Sequence, residues 1–273
     1  MADIKKLIVS DIDGTLLTSG SEVSNFDMNM IRNAREHGAE FTISSGRVYS
    51  AMKYLIKLTG ITVPVSCVNG GIIMEPETEK IIFESALEKS TIKKSFDILK
   101  QYDGYIYYYT QKAMIAEKFE SAALYYDELN KTLPKDEQID LKIVKDLYDL
   151  PDEKIYKIMK KDKQKRGYDE MKAQLSHVKG INYCSSWVDN IEIYSDKTSK
   201  GKSALIIADY LGVDIENVMV IGDEDNDIAM FETNAFKVAM GNAIEPIKAR
   251  ADYITDTNDN GGLGKAIDVF LRR

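Results

Sequence analysis

Residues 7–16 read Leu7-Ile8-Val9-Ser10-Asp11-Ile12-Asp13-Gly14-Thr15-Leu16. An apolar run that ends in a carboxylate predicts a buried parallel strand whose last residues emerge at the carboxyl edge of the sheet. Gly14 and Thr15 then turn the backbone away, leaving Asp11 and Asp13 in the crevice where open α/β sheets bind ligands. Two residues apart on an extended backbone, the two carboxylates share one side and Ile12 faces the other. Two same-facing acids repel unless a cation, a proton or a transferable group compensates them. A lone Asp-Gly is an ordinary turn former. The whole string, placed behind an apolar strand, carries a chemical reason for its acids and reads as a site.

The chain has 273 residues, enough for one large domain or two smaller ones. Its apolar content of 44% and charged content of 29% are those of an ordinary globular protein. A net charge of −8 argues against a general nucleic-acid or anionic-membrane surface. It leaves room for a phosphorylated small molecule, because lysines, backbone N–H groups and a metal can dominate one pocket. Cys67 and Cys184 sit far apart in strand-like surroundings and read as reduced core residues. With only His37 and His177, both in expected helices, a histidine-rich zinc site is not expected. Met1 to Lys6 is polar and no apolar run approaches the roughly 20 residues of a membrane span. The expected location is therefore the cytoplasm.

Further along, Ser24 can cap a helix with Phe26, Met30 and Ala34 in phase, ended by Gly38. Phe41-Thr42-Ile43 reads as a second strand, followed by Ser44-Ser45-Gly46-Arg47 and a helix presenting Val48, Met52, Leu55 and Ile56. A hydroxyl and helix-terminal N–H groups after a strand can together hold an anion. Residues 63–68 predict a third strand, ending in Asn69-Gly70-Gly71, and residues 72–83 a hairpin. From residue 86 to 189 the texture changes to mixed helical and β-rich segments, an α+β module with room for its own core. Its Tyr105-Ile106-Tyr107-Tyr108-Tyr109 run predicts an amphipathic strand with one ring face packed.

Then comes Asp196-Lys197-Thr198-Ser199-Lys200-Gly201-Lys202, leading into a helix carrying Ala204, Ile207, Ala208 and Leu211. A lysine at a helix N-terminus opposes the macrodipole, and an anion nearby resolves the conflict. Val218-Met219-Val220-Ile221 is another buried strand, ending in Gly222-Asp223-Glu224-Asp225-Asn226-Asp227. Acids crowded at a strand's end call for a hard cation, and oxygen ligands without histidine fit Mg²⁺. Strands near Phe236 and Tyr253 and a last helix through Ile267 and Phe270 complete the expected scaffold.

These four stretches, in this order, resemble the motifs of the haloacid dehalogenase superfamily, in its Cof-type phosphatase branch with a large α/β cap. The resemblance spans the chain, although Ser45 and Val48 stand where many relatives have Thr and Pro. It implies a doubly wound parallel-sheet core, residues 1–85 and 190–273, with a cap at 86–189 that sets specificity and swings on hinges near 85–88 and 187–190. It implies Asp11 as nucleophile and Asp13 as acid/base. Ile12, Ser45, Gly46, Lys200 and Asn226 would hold phosphate, with Lys197 the runner-up lysine and Lys202 facing solvent. Asp11, Asp13, Asp223, Glu224 and Asp227 would form the Mg²⁺ site, and Arg47 and Asn69 the substrate mouth. The implied activity is Mg²⁺-dependent hydrolysis of a small phosphomonoester (a sugar phosphate, nucleotide or cofactor phosphate) through an aspartyl phosphate, by a monomer or weak homodimer. The alternatives are a sugar phosphomutase and a non-enzymatic, receiver-like phospho-acceptor switch.

Overall fold

The structure is a computed structural model that describes residues 4–149, 152–186 and 189–273. Its core is a five-stranded, wholly parallel sheet with strand order Tyr253–Ile254, Phe236–Ala239, Val218–Gly222, Lys6–Ser10 and Ala39–Ile43. The two central strands, Lys6–Ser10 and Val218–Gly222, are buried on both faces beyond Lys6, which is why they read as unbroken apolar runs. Their carboxyl ends lie side by side, Val9 opposite Val220 and Ser10 opposite Ile221. The acids that follow each strand are thereby brought together from opposite ends of the chain. The helix Asn25–Glu36 packs against Gly262–Leu271, and Lys200–Leu211 packs against Ile228–Phe231.

The first helix starts as expected, with the Asp27 N–H donating to Ser24 Oγ at 3.0 Å. Its buried face is Asp27, Met28, Ile31 and Ala34, however, and Phe26 is 47% exposed. The rotation follows from Asp27, whose Oδ1 accepts from the Gly264 N–H at 2.6 Å and ties the first helix to the last. Residues 65–67 also depart from expectation. They touch the core sheet through one bridge, Ser44 to Ser66, and form a separate antiparallel sheet with the hairpin Ile72–Met74 and Ile81–Glu84.

The inserted module is a six-stranded sheet ordered Ile181–Cys184, Asn190–Ser195, Lys157–Lys161, Tyr105–Tyr109, Ala113–Ala116 and Asp140–Ile143. Asn190–Ser195 pairs on both sides within this sheet, so the chain returns to the core after Ser195 and not at residue 190. At the first crossing the Ser85 N–H donates to Gly71 O and the Leu87 N–H to Ile155 O, each at 2.8 Å. Ser85 Oγ donates to Ser195 Oγ at 2.8 Å and ties the two crossings together. Trp187, named in the expected second hinge, lies outside the described residues.

The helices Lys89–Leu99 and Tyr168–Leu175 pack on one another and cover one face of the cap sheet, where Tyr108, Ile158, Ile191 and Ile193 lie. Tyr107, Tyr109 and Met159 belong to the core's apolar cluster on the other face. Tyr107 to Tyr109 are therefore buried on both faces, not one: on the second, Tyr107 Oη donates to Glu120 O at 3.0 Å and accepts from the Ala122 N–H at 3.3 Å, at the start of the cap helix Ala122–Thr132. Cys67 and Cys184 are both buried and free, as expected.

Candidate active site

Asp11 follows the strand Lys6–Ser10, and its N–H still donates to Ile221 O at 3.0 Å. This extends the ladder by one residue and fixes the carboxylate at the sheet edge, where it is 4% exposed. The Ile12 carbonyl accepts from the Leu17 N–H at 2.9 Å and closes the turn. Gly14 sits at φ +82, and a Cβ there would lie 2.2 Å from Asp223 Oδ2, so both conformation and space require glycine. Thr15 Oγ1 donates to Asp223 Oδ1 at 2.8 Å, and Asn242 Nδ2 donates to Gly14 O at 2.8 Å. The first motif is thus clamped onto the fourth.

In the fourth motif, Asp227 Oδ2 accepts from the Asp223 N–H at 2.9 Å and the Glu224 N–H at 3.1 Å. A Cβ on Gly222 would lie 2.6 Å from the Asp227 carboxyl, which accounts for that glycine. Lys200 reaches in from the N-terminal turn of Lys200–Leu211, and its Nζ donates to Asp11 Oδ1 and Asp227 Oδ1, each at 2.6 Å. Carboxylates of the protein therefore supply anionic partners for this lysine. Lys202 bonds the Asp196 carbonyl at the surface, and Lys197 is exposed and outside the site.

Asp11, Asp223 and Asp227 each place a carboxylate oxygen within 4.8 Å of the others. Burial, with Asp227 and Asp13 adding to it against the pull of Lys200, pushes Asp11 up to about 7. Burial together with Asp11 and Asp227 pushes Asp223 up to about 9. Burial disfavours the Lys200 ammonium, but the two aspartates more than offset it and hold it well above the usual lysine range.

Asp13 and Glu224, both expected as metal ligands, are not in this trio. The Asp13 carboxylate is taken by Arg47, whose Nη2 donates to Oδ1 at 2.6 Å and Nε to Oδ2 at 3.0 Å. Burial pulls Asp13 upward, and the Arg47 guanidinium overrides it and holds the carboxyl below its ordinary value. Glu224 lines the cavity instead, its carboxyl raised by burial.

Ser45, Gly46, Arg47 and Asn226 line the same cavity. No helix starts directly behind Ser45: the chain is extended at Val48, and a single 3₁₀ turn, Tyr49–Met52, comes first. The Ser45 hydroxyl accepts from the Arg47 N–H at 3.2 Å. Asn69 is 1% exposed and lies behind the wall, donating to Glu192, so it does not form the mouth expected of it.

The cavity encloses about 660 Å³ between core and cap. Tyr109, Tyr126, Lys157, Met159, Asn190 and Glu192 form its upper wall, and none of these was expected in the site from the sequence. The available signal was alternation: Lys157, Met159 and Lys161 share one strand face, but nothing local says that this face meets the core.

A family model for haloacid dehalogenase-like hydrolases matches residues 8–267. The chain is 30% identical to the phosphatase YwpJ of Bacillus subtilis (strain 168), over 97% of this chain and 100% of the relative. It is 29% identical to a 5-amino-6-(5-phospho-D-ribitylamino)uracil phosphatase, YwtE, of the same organism, over 97% of this chain and 98% of that one. Among solved structures, a haloacid dehalogenase-like hydrolase from B. subtilis superposes with a TM-score of 0.84 at 27% identity, covering 96% of this chain and 99% of that chain. Three motifs at adjacent strand ends met by a lysine from a helix start, a cap inserted above them and a family match along nearly the whole length have one reading: the chain belongs to the haloacid dehalogenase-like hydrolases.

Proposed function

We propose that the protein is a Mg²⁺-dependent phosphatase that hydrolyses small phosphomonoesters through a phosphoenzyme on Asp11. The observation that carries this reading is the buried Asp11 carboxylate, held 2.6 Å from the Lys200 ammonium at the floor of a cavity also lined by Ser45 and Arg47. The residues fit a divalent cation. Three buried carboxylates crowd together, Asp11 and Asp227 bonded to the Lys200 ammonium and Asp223 beside them, and burial has pushed Asp11 and Asp223 toward the protonated form. Such a set keeps its charges only beside a hard, oxygen-preferring cation. Asp11, Asp223 and Asp227 would hold it, and its charge would offset the repulsion between Asp11 and the incoming phosphoryl oxygens.

Asp11 attacks phosphorus, forming the acyl phosphate as the ester P–O bond breaks. Lys200 and the Ser45 hydroxyl orient and neutralise the oxygens that carry charge in that step. The leaving oxygen takes its proton from Asp13, and Asp13 then takes one from the water that cleaves the intermediate. Beside Arg47, Asp13 is ionised and ready for the second task. To serve as acid it must first be released and take up a proton from solvent, and the substrate's phosphoryl oxygens are the natural competitors for the guanidinium.

The test is Asp11→Asn assayed with p-nitrophenyl phosphate, where activity within about tenfold of the wild type would overturn the scheme. Rapid-quench mass spectrometry of Asp13→Asn should find phosphate on Asp11. A substrate screen should then cover sugar phosphates, nucleotides and the phosphoribitylaminouracil that YwtE is named for.

A further inference from the structure

A buried ion pair in the cap faces the phosphate loop and takes no part in the proton or phosphoryl transfers. Lys157 and Glu192 lie on adjacent antiparallel strands, two positions off direct register, and share the face that looks onto the core. Lys157 Nζ and Glu192 Oε1 are 2.9 Å apart, with side chains 4% and 3% exposed. A pair this deep is unfavourable unless its remaining donors and acceptors are also used. Here they are used across the boundary between cap and core. Lys157 Nζ donates to the Gly46 carbonyl at 2.6 Å, and Asn69 Nδ2 donates to Glu192 Oε2 at 2.6 Å. Within the cap, Ser186 Oγ donates to Glu192 Oε1 at 2.9 Å, and the Lys157 ammonium lies 4.5 Å above the Tyr109 ring.

The core side is built to receive this pair. A Cβ on Gly46 would lie 3.0 Å from Asn69 Oδ1, 3.3 Å from Glu192 Oε2 and 3.4 Å from Lys157 Nζ, so the glycine gives the cap's charges room to reach the loop. Asn69 adopts φ 58 and ψ 38, a left-handed conformation that asparagine tolerates better than most residues. In that conformation its N–H donates to Ser45 O, and the Val68 N–H donates to Arg47 O, both at 2.9 Å. The loop Ser45-Gly46-Arg47 is thus gripped from below by the turn at 68–69 and from above by Lys157.

We propose that Lys157, Glu192 and Asn69 are positioning residues that clasp the cap to the phosphate loop, so that the loop holds phosphate only with the cap docked. With the cap undocked, Lys157 and Glu192 keep each other but lose Gly46 and Asn69. The apparent affinity for phosphate then falls by the fraction of molecules that are docked. This rests on the reading of residues 45–47 as the phosphate loop.

The experiment uses the full-length protein with Asn69→Gly, because glycine accepts the same backbone conformation and keeps the N–H while deleting the amide that reaches Glu192. The KM for p-nitrophenyl phosphate and the dissociation constant for inorganic phosphate should both rise, by at most roughly tenfold, the ceiling set by losing one hydrogen bond to a charged acceptor. The kcat should change by no more than about twofold, because no group that contacts the reacting atoms is altered. Amide hydrogen exchange at Ser45, Gly46 and Arg47 should quicken. A Lys157→Met/Glu192→Gln double variant leaves no charge buried alone, so it should keep the wild-type melting temperature and still show the raised KM. Wild-type KM, phosphate affinity and loop exchange in both variants would overturn the clasp and leave the pair a fastening within the cap sheet. Failure of phosphate to slow those amides in the wild type would overturn the loop's assignment, and the proposal with it.

Discussion

Replacing Lys200 with methionine removes the ammonium that Asp11 and Asp227 share, while nearly preserving side-chain volume. Each contact is 2.6 Å long and fully desolvated on the lysine side. At an effective dielectric constant of about 20, such a contact is worth about 6 kcal/mol of gross attraction. Desolvation of the ammonium offsets much of that. Breaking a buried pair by removing one partner has a net cost of about 3–5 kcal/mol, because the other charges stay behind unpaired. For a chain of this size the loss corresponds to a fall in melting temperature of roughly 6–20 °C. The assay is thermal unfolding by circular dichroism near neutral pH, wild type against Lys200→Met, first in chelator and then in Mg²⁺. The deficit should shrink in Mg²⁺, because a cation among Asp11, Asp223 and Asp227 takes over part of the neutralisation. Turnover should stay lost, since the group that orients Asp11 is gone. A fall of less than about 2 °C in chelator, or turnover within about tenfold of the wild type, would refute this account of the site.

Chelation should abolish turnover, and Mg²⁺ should raise the melting temperature of the wild type more than that of Asp223→Asn; equal shifts would count against the aspartate trio as the cation's seat. Gly201→Ala should destabilise by about 1–3 kcal/mol and impair turnover, because a Cβ there would lie 1.9 Å from Ala229 O and force the Lys200 helix outward. Melting and kinetics matching the wild type would show that the two helices are not in close approach. In the cap, burial pulls the Lys160 ammonium down to about 8, even though it donates to the Tyr102 carbonyl. Between about pH 8 and 10.5 the unfolded chain holds a proton that the folded one has released, so raising pH relieves a penalty. Over that interval the wild type should gain about 1–2 kcal/mol relative to Lys160→Met in urea unfolding, after allowance for partial solvation; a constant difference would refute it.

The placing of the acids at the sheet edge was legible in the sequence because it is local. Asp11 through Leu16 follow their strand directly, and so do Gly222 through Asp227. A buried parallel strand that ends in acids places them at a sheet edge whatever the rest of the chain does. Lys200 was legible for the same reason, as a cation at a helix start where only anions are electrostatically at home. The partners of these groups were not legible. That Lys200 is met by Asp11 and Asp227, and Asp13 by Arg47, depends on which strands are neighbours and how the loops close over them. The rotation that buries Asp27 and exposes Phe26 depends on Gly264, 237 residues away. Asn190–Ser195 has the same alternating pattern whether it belongs to core or cap, and hydrogen bonding to Lys157–Lys161 assigns it to the cap. The cavity's upper wall was hidden because periodicity tells which residues share a face, not what that face meets. Lys157 and Glu192 could be read as ordinary surface charges until the cap folded down onto Gly46 and Asn69 and took them out of water. Local pattern determines where a charge begins; tertiary packing decides whether it is solvated, paired or put to use, because desolvation and partner distance exist only once distant elements touch.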